Sequence, residues 1–321
     1  MSVLSSILNS LPGAVSLGLI WGIMAIGVYI TYRILDIADL TVDGSICTGA
    51  AVCVMCTING TPLPLAMVYA VIAGMLTGLM TGIFHTFMGI PAILAGILTQ
   101  LSLYSINLTI MGKANQVLNA RKYDLLVSLQ NIRNVPFFEN TIVVVSIFVV
   151  VLIAVLYWFF GTEYGCSLRA TGSNLNMSRA QGINTNFNTV IALMLSNGIV
   201  ALSGALLAQY QGFADIQMGR GAIVIGLAAV IIGNAVFGRI FKNFALKLLA
   251  VALGGVIYYI VYQVVICLGI NTDLLKLLSA MVVAIFLAAP YWKSKYFSKP
   301  KNVALQSNNP QNSLAKKGGN K

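Results

Sequence analysis

The sequence predicts an all-α polytopic membrane protein of about nine transmembrane helices, in two pseudo-symmetric, inverted halves with broken helices. Three observations predict it. First, 58% of the 321 residues are hydrophobic, only 8% are charged, and the mean hydropathy is +0.88. A soluble domain carries about 25% charged residues, so the bilayer is the solvent for most of this chain. Second, the charges are absent in long runs: no Asp, Glu, Lys or Arg lies between Gly44 and Gly112. Only helices or closed barrels satisfy every backbone group in lipid, and runs without period-two alternation favour helices. Third, Asp39-Leu-Thr-Val-Asp-Gly-Ser-Ile-Cys-Thr-Gly is echoed by Asp215-Ile-Gln-Met-Gly-Arg-Gly-Ala-Ile-Val-Ile-Gly. Each copy has an acid, then Gly-Ser/Ala-Ile and a further glycine. Paired segments of this kind in opposite halves mark broken helices beside a transport pathway.

The spans follow from length, breakers and charge. Ala14–Tyr32 ends at Arg33, and Ser45–Thr57 is too short to cross unaided. The turn cluster Asn59-Gly-Thr-Pro-Leu-Pro precedes Leu65–Phe87, and Met88-Gly-Ile-Pro separates that span from Ala92–Met111. After the polar segment 113–140 come Thr141–Gly161, a polar island at 162–186, Phe187–Gln209, Ala222–Phe237, Phe244–Leu268 and Leu274–Trp292. Residues 1–292 therefore form one transmembrane domain. Gly74, Gly78 and Gly82 recur every fourth residue, a spacing that lets helices approach closely in lipid.

Net charge is +11, and the tail 293–321 holds seven lysines and no acid. It reads as a basic, disordered cytoplasmic tail under the positive-inside rule, with no nucleic-acid partner expected. Alternation then places Arg169, Arg179, Arg239, Lys242 and Lys247 in the cytoplasm. It leaves 113–140 outside despite its four basic residues, and the N-terminus outside too. No Lys or Arg precedes the first apolar run, so no cleavable signal peptide is expected. Five cysteines scattered over apolar segments imply no disulfide framework, and Cys53-Val-Met-Cys56 reads as two packing residues one turn apart.

Catalytic chemistry finds no foothold. The single histidine, His85, lies in an apolar span, and no nucleophile set, paired-carboxylate site, metal cluster or cofactor site can be assembled. The Gly-x-x-x-x-Gly-Lys-Ser/Thr loop is absent as well, so energy for uphill transport has to come from an ion gradient or a separate subunit. Spans almost bare of ionisable residues favour an external motor or passive conduction over a proton-coupled carrier. The acids that exist are clustered: Asp36, Asp39 and Asp43 are spaced to share one helix face ahead of the short span. They read either as an interfacial cap or as a gate at a broken helix, with Gly44, Asp215 and Gly221 as further pathway candidates. In the island, Asn174 can cap a helix over Leu175–Gln181, which Gly182 closes as a glycine C-terminal cap. Such a helix is too short to be stable alone and needs something to pack on.

These residues resemble a known family. Gly165-Cys-Ser-Leu-Arg-Ala-Thr-Gly-Ser-Asn with Met177-Ser-Arg-Ala-Gln-Gly-Ile is similar to the cytoplasmic loop of ABC-importer permeases of the branched-chain amino-acid permease superfamily. The segments starting at Arg33 (RILDIADLTVDGS), Leu195 (LSNGIVALSGALLAQYQGFAD) and Gly221 (GAIVIGLAAVIIG) are most like the tryptophan/tyrosine-type transport permease subgroup. The resemblance implies a homodimer in the plasma membrane, with cytoplasmic ATP-binding subunits and an extracytoplasmic solute-binding protein as partners. ATP hydrolysis is then expected on the separate subunit, with a small organic solute, such as an aromatic amino acid, as cargo. It gives the island the coupling-helix role, carried by Arg169, Asn174, Leu175, Met177, Arg179, Ala180 and Gly182. The alternative from the residues alone is an ion-coupled secondary carrier or channel acting without an ATPase.

Overall fold

A computed structural model describes residues 3–119, 123, 125–129 and 140–267, with six further positions between 277 and 288 and with side chains from Ser10 onward. Most of the expected span Leu274–Trp292, the lysine-rich tail and the middle of the segment 113–140 lie outside the described residues. Met1–Leu287 is one compact unit and Ala288–Lys321 a second.

Helix α1 (Val3–Tyr29) runs on into a π-helical turn, Ile30–Ile34, in which Leu35 N–H donates to Ile30 O at 3.0 Å. The chain then leaves helical geometry. Asp36 takes a positive φ of 57°, and helix starts again only at α2 (Val42–Ile58). Asp36, Asp39 and Asp43 therefore share no helix face. The π turn and the left-handed residue break the repeat that their spacing implied. α2 is buried on all sides, as expected of a helix apolar all round.

α3 (Leu63–Thr86) starts at Pro62, and α4 (Ala92–Met111) starts at Pro91. Proline at these points costs no hydrogen bond, because the first N–H groups of a helix are unpaired anyway. α5 (Thr141–Gly161) begins where the Asn140 side chain accepts from Ile142 N–H. Then come α6 (Glu163–Ser173), α7 (Leu175–Ala180), α8 (Thr185–Gln211), α9 (Ala222–Phe237) and α10 (Phe244–Cys267). α6 is a correction: the island 162–186 was expected to carry one short helix and carries two. Six described helices have the length and hydropathy to cross a membrane, while α2 and α9 are shorter.

α1 and α8 form the centre. They run antiparallel, with Ser196 Oγ donating to Gly27 O at 2.8 Å and Ser203 Oγ to Ile20 O at 2.7 Å. α8 packs on α3 along the glycine ladder: a Cβ at Gly74, Gly78 or Gly82 would run into Asn197, Leu193 or Val190 respectively. α1 packs on α10 in the same manner, with Gly18 against Val256 and Gly22 against Ala252. Without an oily driving force between helices in lipid, such backbone contact is what holds them.

Two short strands, β1 (Asn115–Val117) and β2 (Phe213–Asp215), pair antiparallel with Asn115 opposite Asp215. The pairing fixes the ends of α4 and α8 on one side of the bundle. α6 and α7 lie at the opposite end, where Gly172 of α6 abuts Ile34.

Candidate functional site

The site grows from the two breaks. Asn197 is midway along α8, and the chain reaches that depth at residues 35–41. There Asp39 is 3% exposed. Its Oδ1 accepts from Thr41 N–H at 2.9 Å, and its Oδ2 accepts from Asn197 Nδ2 at 2.7 Å. Asn197 Oδ1 in turn accepts from Ser45 Oγ at 2.6 Å. A second line of hydroxyls runs Thr41 to Thr81 at 2.7 Å and Thr81 to Thr99 at 2.9 Å. Irregular backbone at such depth persists only where protein groups satisfy it, and this network satisfies the start of α2.

The second break comes from the other end. After β2 the chain folds back along α2. Ile216 O accepts from Cys47 Sγ at 3.1 Å, and Gly219 N–H donates to the same sulfur at 3.3 Å. Gly221, at φ 85°, begins α9, and the carboxylate that caps α9 is Asp43 from α2. Asp43 Oδ2 accepts from Gly221 N–H and Oδ1 from Ile223 N–H, both at 3.0 Å. A side chain on one half-helix thus neutralises the positive end of the other. Asp215 Oδ1 accepts from Gln217 N–H at 2.6 Å, the same i+2 turn that Asp39 makes with Thr41. Beside this junction lies a cleft of about 300 Å³ lined by Asp43, Gln100, Tyr104, Asn107, Ile216 and Arg220, among others. Gly44 borders it and packs on Leu103.

At the opposite end, α7 is built from its caps. Asn174 Oδ1 accepts from Met177 N–H at 3.0 Å. At the far end Gly182 takes φ 79°, with Gly182 N–H donating to Arg179 O and Ile183 N–H to Ser178 O, a paired glycine C-cap. Leu175 and Met177 stand 41% and 63% exposed, with Phe187 exposed nearby in the chain. Arg179 Nε donates to Thr185 Oγ1 at 2.9 Å, tying α7 to the start of α8. Arg169 points back into the bundle: it donates to Phe160 O at 2.8 Å and lies over the Phe244 ring. Asn188 Nδ2 donates to Ser167 and Thr171, fixing α6 on α8.

The sequence-chosen residues thus fall into two sets. Asp39, Asp43, Gly44 and Gly221 come together at the breaks, with Asp215 at the outer end of the second one. Arg169, Asn174, Leu175, Met177, Arg179, Ala180 and Gly182 come together on α6–α7. Sequence reading missed Asn197, the threonine line, Asn107 and Arg220. For Asn197 there was a signal, an amide in mid-span where polar residues are costly.

A family model described as "Branched-chain amino acid transport system / permease component" matches residues 11–287. The chain belongs to this permease family. It is 39% identical over 270 residues to the tyrosine transport system permease protein of Clostridioides difficile (strain R20291), covering 84% of this chain and 88% of that one. It is 35% identical over 286 residues to uncharacterized protein RP368 of Rickettsia prowazekii (strain Madrid E), covering 88% and 98%. To the autoinducer 2 import system permease protein LsrC of Salmonella typhimurium it is 31% identical over 178 residues, covering 54% and 48%. No solved structure matches the chain. The permease is accordingly a multi-pass plasma-membrane protein and the membrane subunit of an ABC importer for small solutes. Such a permease works with ATP-binding and solute-binding partners, which sets aside the carrier or channel acting alone.

Proposed function

We propose that this permease is one half of a homodimeric aromatic amino-acid importer, driven by separate ATP-binding subunits that grip α7. The single observation that carries the proposal is the state of α6–α7. The side-chain ties of the elbow to its neighbours run to α5 and α8, through Arg169, Arg179 and Asn188, whereas Leu175 and Met177 are exposed. An exposed apolar pair on a rigidly mounted helix is a docking surface rather than a lipid-facing strip. The solute class rests on the likeness to the tyrosine transport system permease protein.

Nine spans in two inverted halves complete the reading. α1 lies against α8, α9 and α10, and α8 against α1, α2 and α3, the exchange expected of halves related by an axis in the membrane plane. The matching turns at Asp39 and Asp215 support the same relation. Asp39, Asp43, Gly44, Asp215 and Gly221 then bound the pathway.

Met177→Asp tests the grip. Purified in detergent, the variant is expected at normal membrane yield but stripped of the ATP-binding subunit. Full copurification of that subunit would sink the proposal. Gly182→Pro removes the positive φ that closes α7, and is expected to keep assembly partly intact while lowering uptake by about tenfold or more.

A further inference from the structure

The outer face of α5 changes character at one end. Ile147, Val151, Val155 and Trp158 follow one another at helical spacing, and each is more than half exposed. An uncharged apolar stripe on a membrane-spanning helix faces acyl chains. α5 has 21 residues, about 31 Å of helix at 1.5 Å per residue, which matches the hydrocarbon thickness of a bilayer. Its last turn, where Trp158 stands, therefore lies at the level of the lipid headgroups.

At that level α5, α6 and the start of α10 enclose a groove of about 500 Å³ lined by Tyr157, Trp158, Phe160, Thr162, Arg169 and Phe244. Arg169 is its charge. Arg169 Nη2 donates to Phe160 O at 2.8 Å and to Cys166 Sγ at 3.4 Å, and the guanidinium lies 5.9 Å from the centre of the Phe244 ring. The group is thus held in place, while its Nε and Nη1 donate to nothing among the described residues. A fixed guanidinium with N–H groups to spare is preorganised for a phosphate. No acid lines the groove, and Glu163, next after Thr162 in the chain, is exposed. Lys247, also exposed, follows Phe244 by three residues and adds a second cation on that face of α10.

We propose that this groove binds the headgroup of an anionic phospholipid, with the phosphate on Arg169 and the acyl chains along the apolar stripe of α5. The aromatic rim fits such a ligand, because Trp and Tyr settle at the headgroup level. Basic pockets between membrane helices at that level attract anionic lipid. The lipid sits where α5 passes into α6, so it steadies the mounting of the elbow on its span. The proposal takes nothing from the identity of the solute.

The test is native mass spectrometry of the full chain, stripped of lipid in detergent and titrated with phosphatidylglycerol or phosphatidylcholine. Phosphatidylglycerol is expected to bind the more tightly. R169Q is expected to weaken it about tenfold or more, the loss of hydrogen bonding to a charged group. R169K, which keeps the charge without the fork, should weaken it less, and W158L and K247Q should weaken it as well. K113Q, at the other end of the bundle, should leave it unchanged. Inorganic phosphate, which has the charge without the chains, should not displace the lipid. W158L and K247Q carry the test where R169Q lowers the melting temperature. Equal binding of the two lipids overturns the site, as does an undiminished preference in R169Q, or in W158L and K247Q together. Displacement by inorganic phosphate overturns it in favour of a plain anion site. Loss of the lipid when the ATP-binding subunit is added overturns it in favour of a protein interface.

Discussion

Asp39 and Asn197 carry the start of α2 between them. Each would be a liability alone: an acid at the depth of mid-α8, and an amide in an apolar span. Together they satisfy Thr41 N–H and Ser45 Oγ as well. Replacing Asp39 with Leu strands Thr41 N–H, at about 1–3 kcal/mol for a buried orphan, and leaves Asn197 Nδ2 with Leu193 O as its remaining acceptor. Asp39→Leu and Asn197→Leu should each lower the melting temperature in detergent, and the double variant should fall by less than their sum. Additive losses would show that the two side chains do not act as a pair. Arg179 belongs to the same kind of bookkeeping. Its bond to Thr185 spans only six residues of chain, so Arg179→Glu should loosen α7 and leave the membrane helices intact, seen as lost uptake at normal melting temperature.

The helices differ in how plainly the sequence announces them. α7 was legible because its signals are local: Asn174 before it and Gly182 after it act on neighbouring N–H and C=O groups. α3, α4 and α5 were legible from hydropathy and prolines. The break after α1 was placed near Arg33, but its acids were misread, because the spacing of Asp36, Asp39 and Asp43 implied one helix face and nothing in Arg33-Ile-Leu-Asp-Ile-Ala-Asp announces irregular backbone. The π turn and the positive φ at Asp36 follow from what packs there. The ladder of β1 and β2 was invisible for a related reason, since three-residue strands have no periodicity and their partners lie far apart in the chain. Asn107 and Arg220 come to line one cleft only through tertiary packing. α6 has its own role in this frame. A Cβ on Gly172 would overlap Ile34 O, one step before the break that holds Asp39. Gly172→Val should therefore push α6 off the end of the π turn. The expected result is an importer that still copurifies with its ATP-binding subunit and hydrolyses ATP, with uptake lowered about tenfold or more. Unchanged uptake would remove α6 from the route between motor and pathway.

The bundle as a whole has two chemically distinct ends, one with the β ladder and one with α6–α7. Single cysteines at Val117 and Met177, both exposed, should report opposite faces in an otherwise cysteine-free chain. A membrane-impermeant maleimide is expected to label Val117→Cys in intact cells and Met177→Cys only after permeabilisation. Labelling of both in intact cells would overturn the orientation. The joint between the half-helices has a further consequence, which concerns leakage. The first turn of a helix carries about half a positive charge. Left bare at the middle of a cell membrane, it would be a stepping stone for chloride. Asp43 closes that step with the chain's own carboxylate. A permease whose own carboxylate fills this helix end is expected to be electrically quiet while idle, so that a cell can hold many copies without short-circuiting its membrane potential. Asp43→Asn should open the short circuit, measured as faster chloride efflux from liposomes that contain the permease alone.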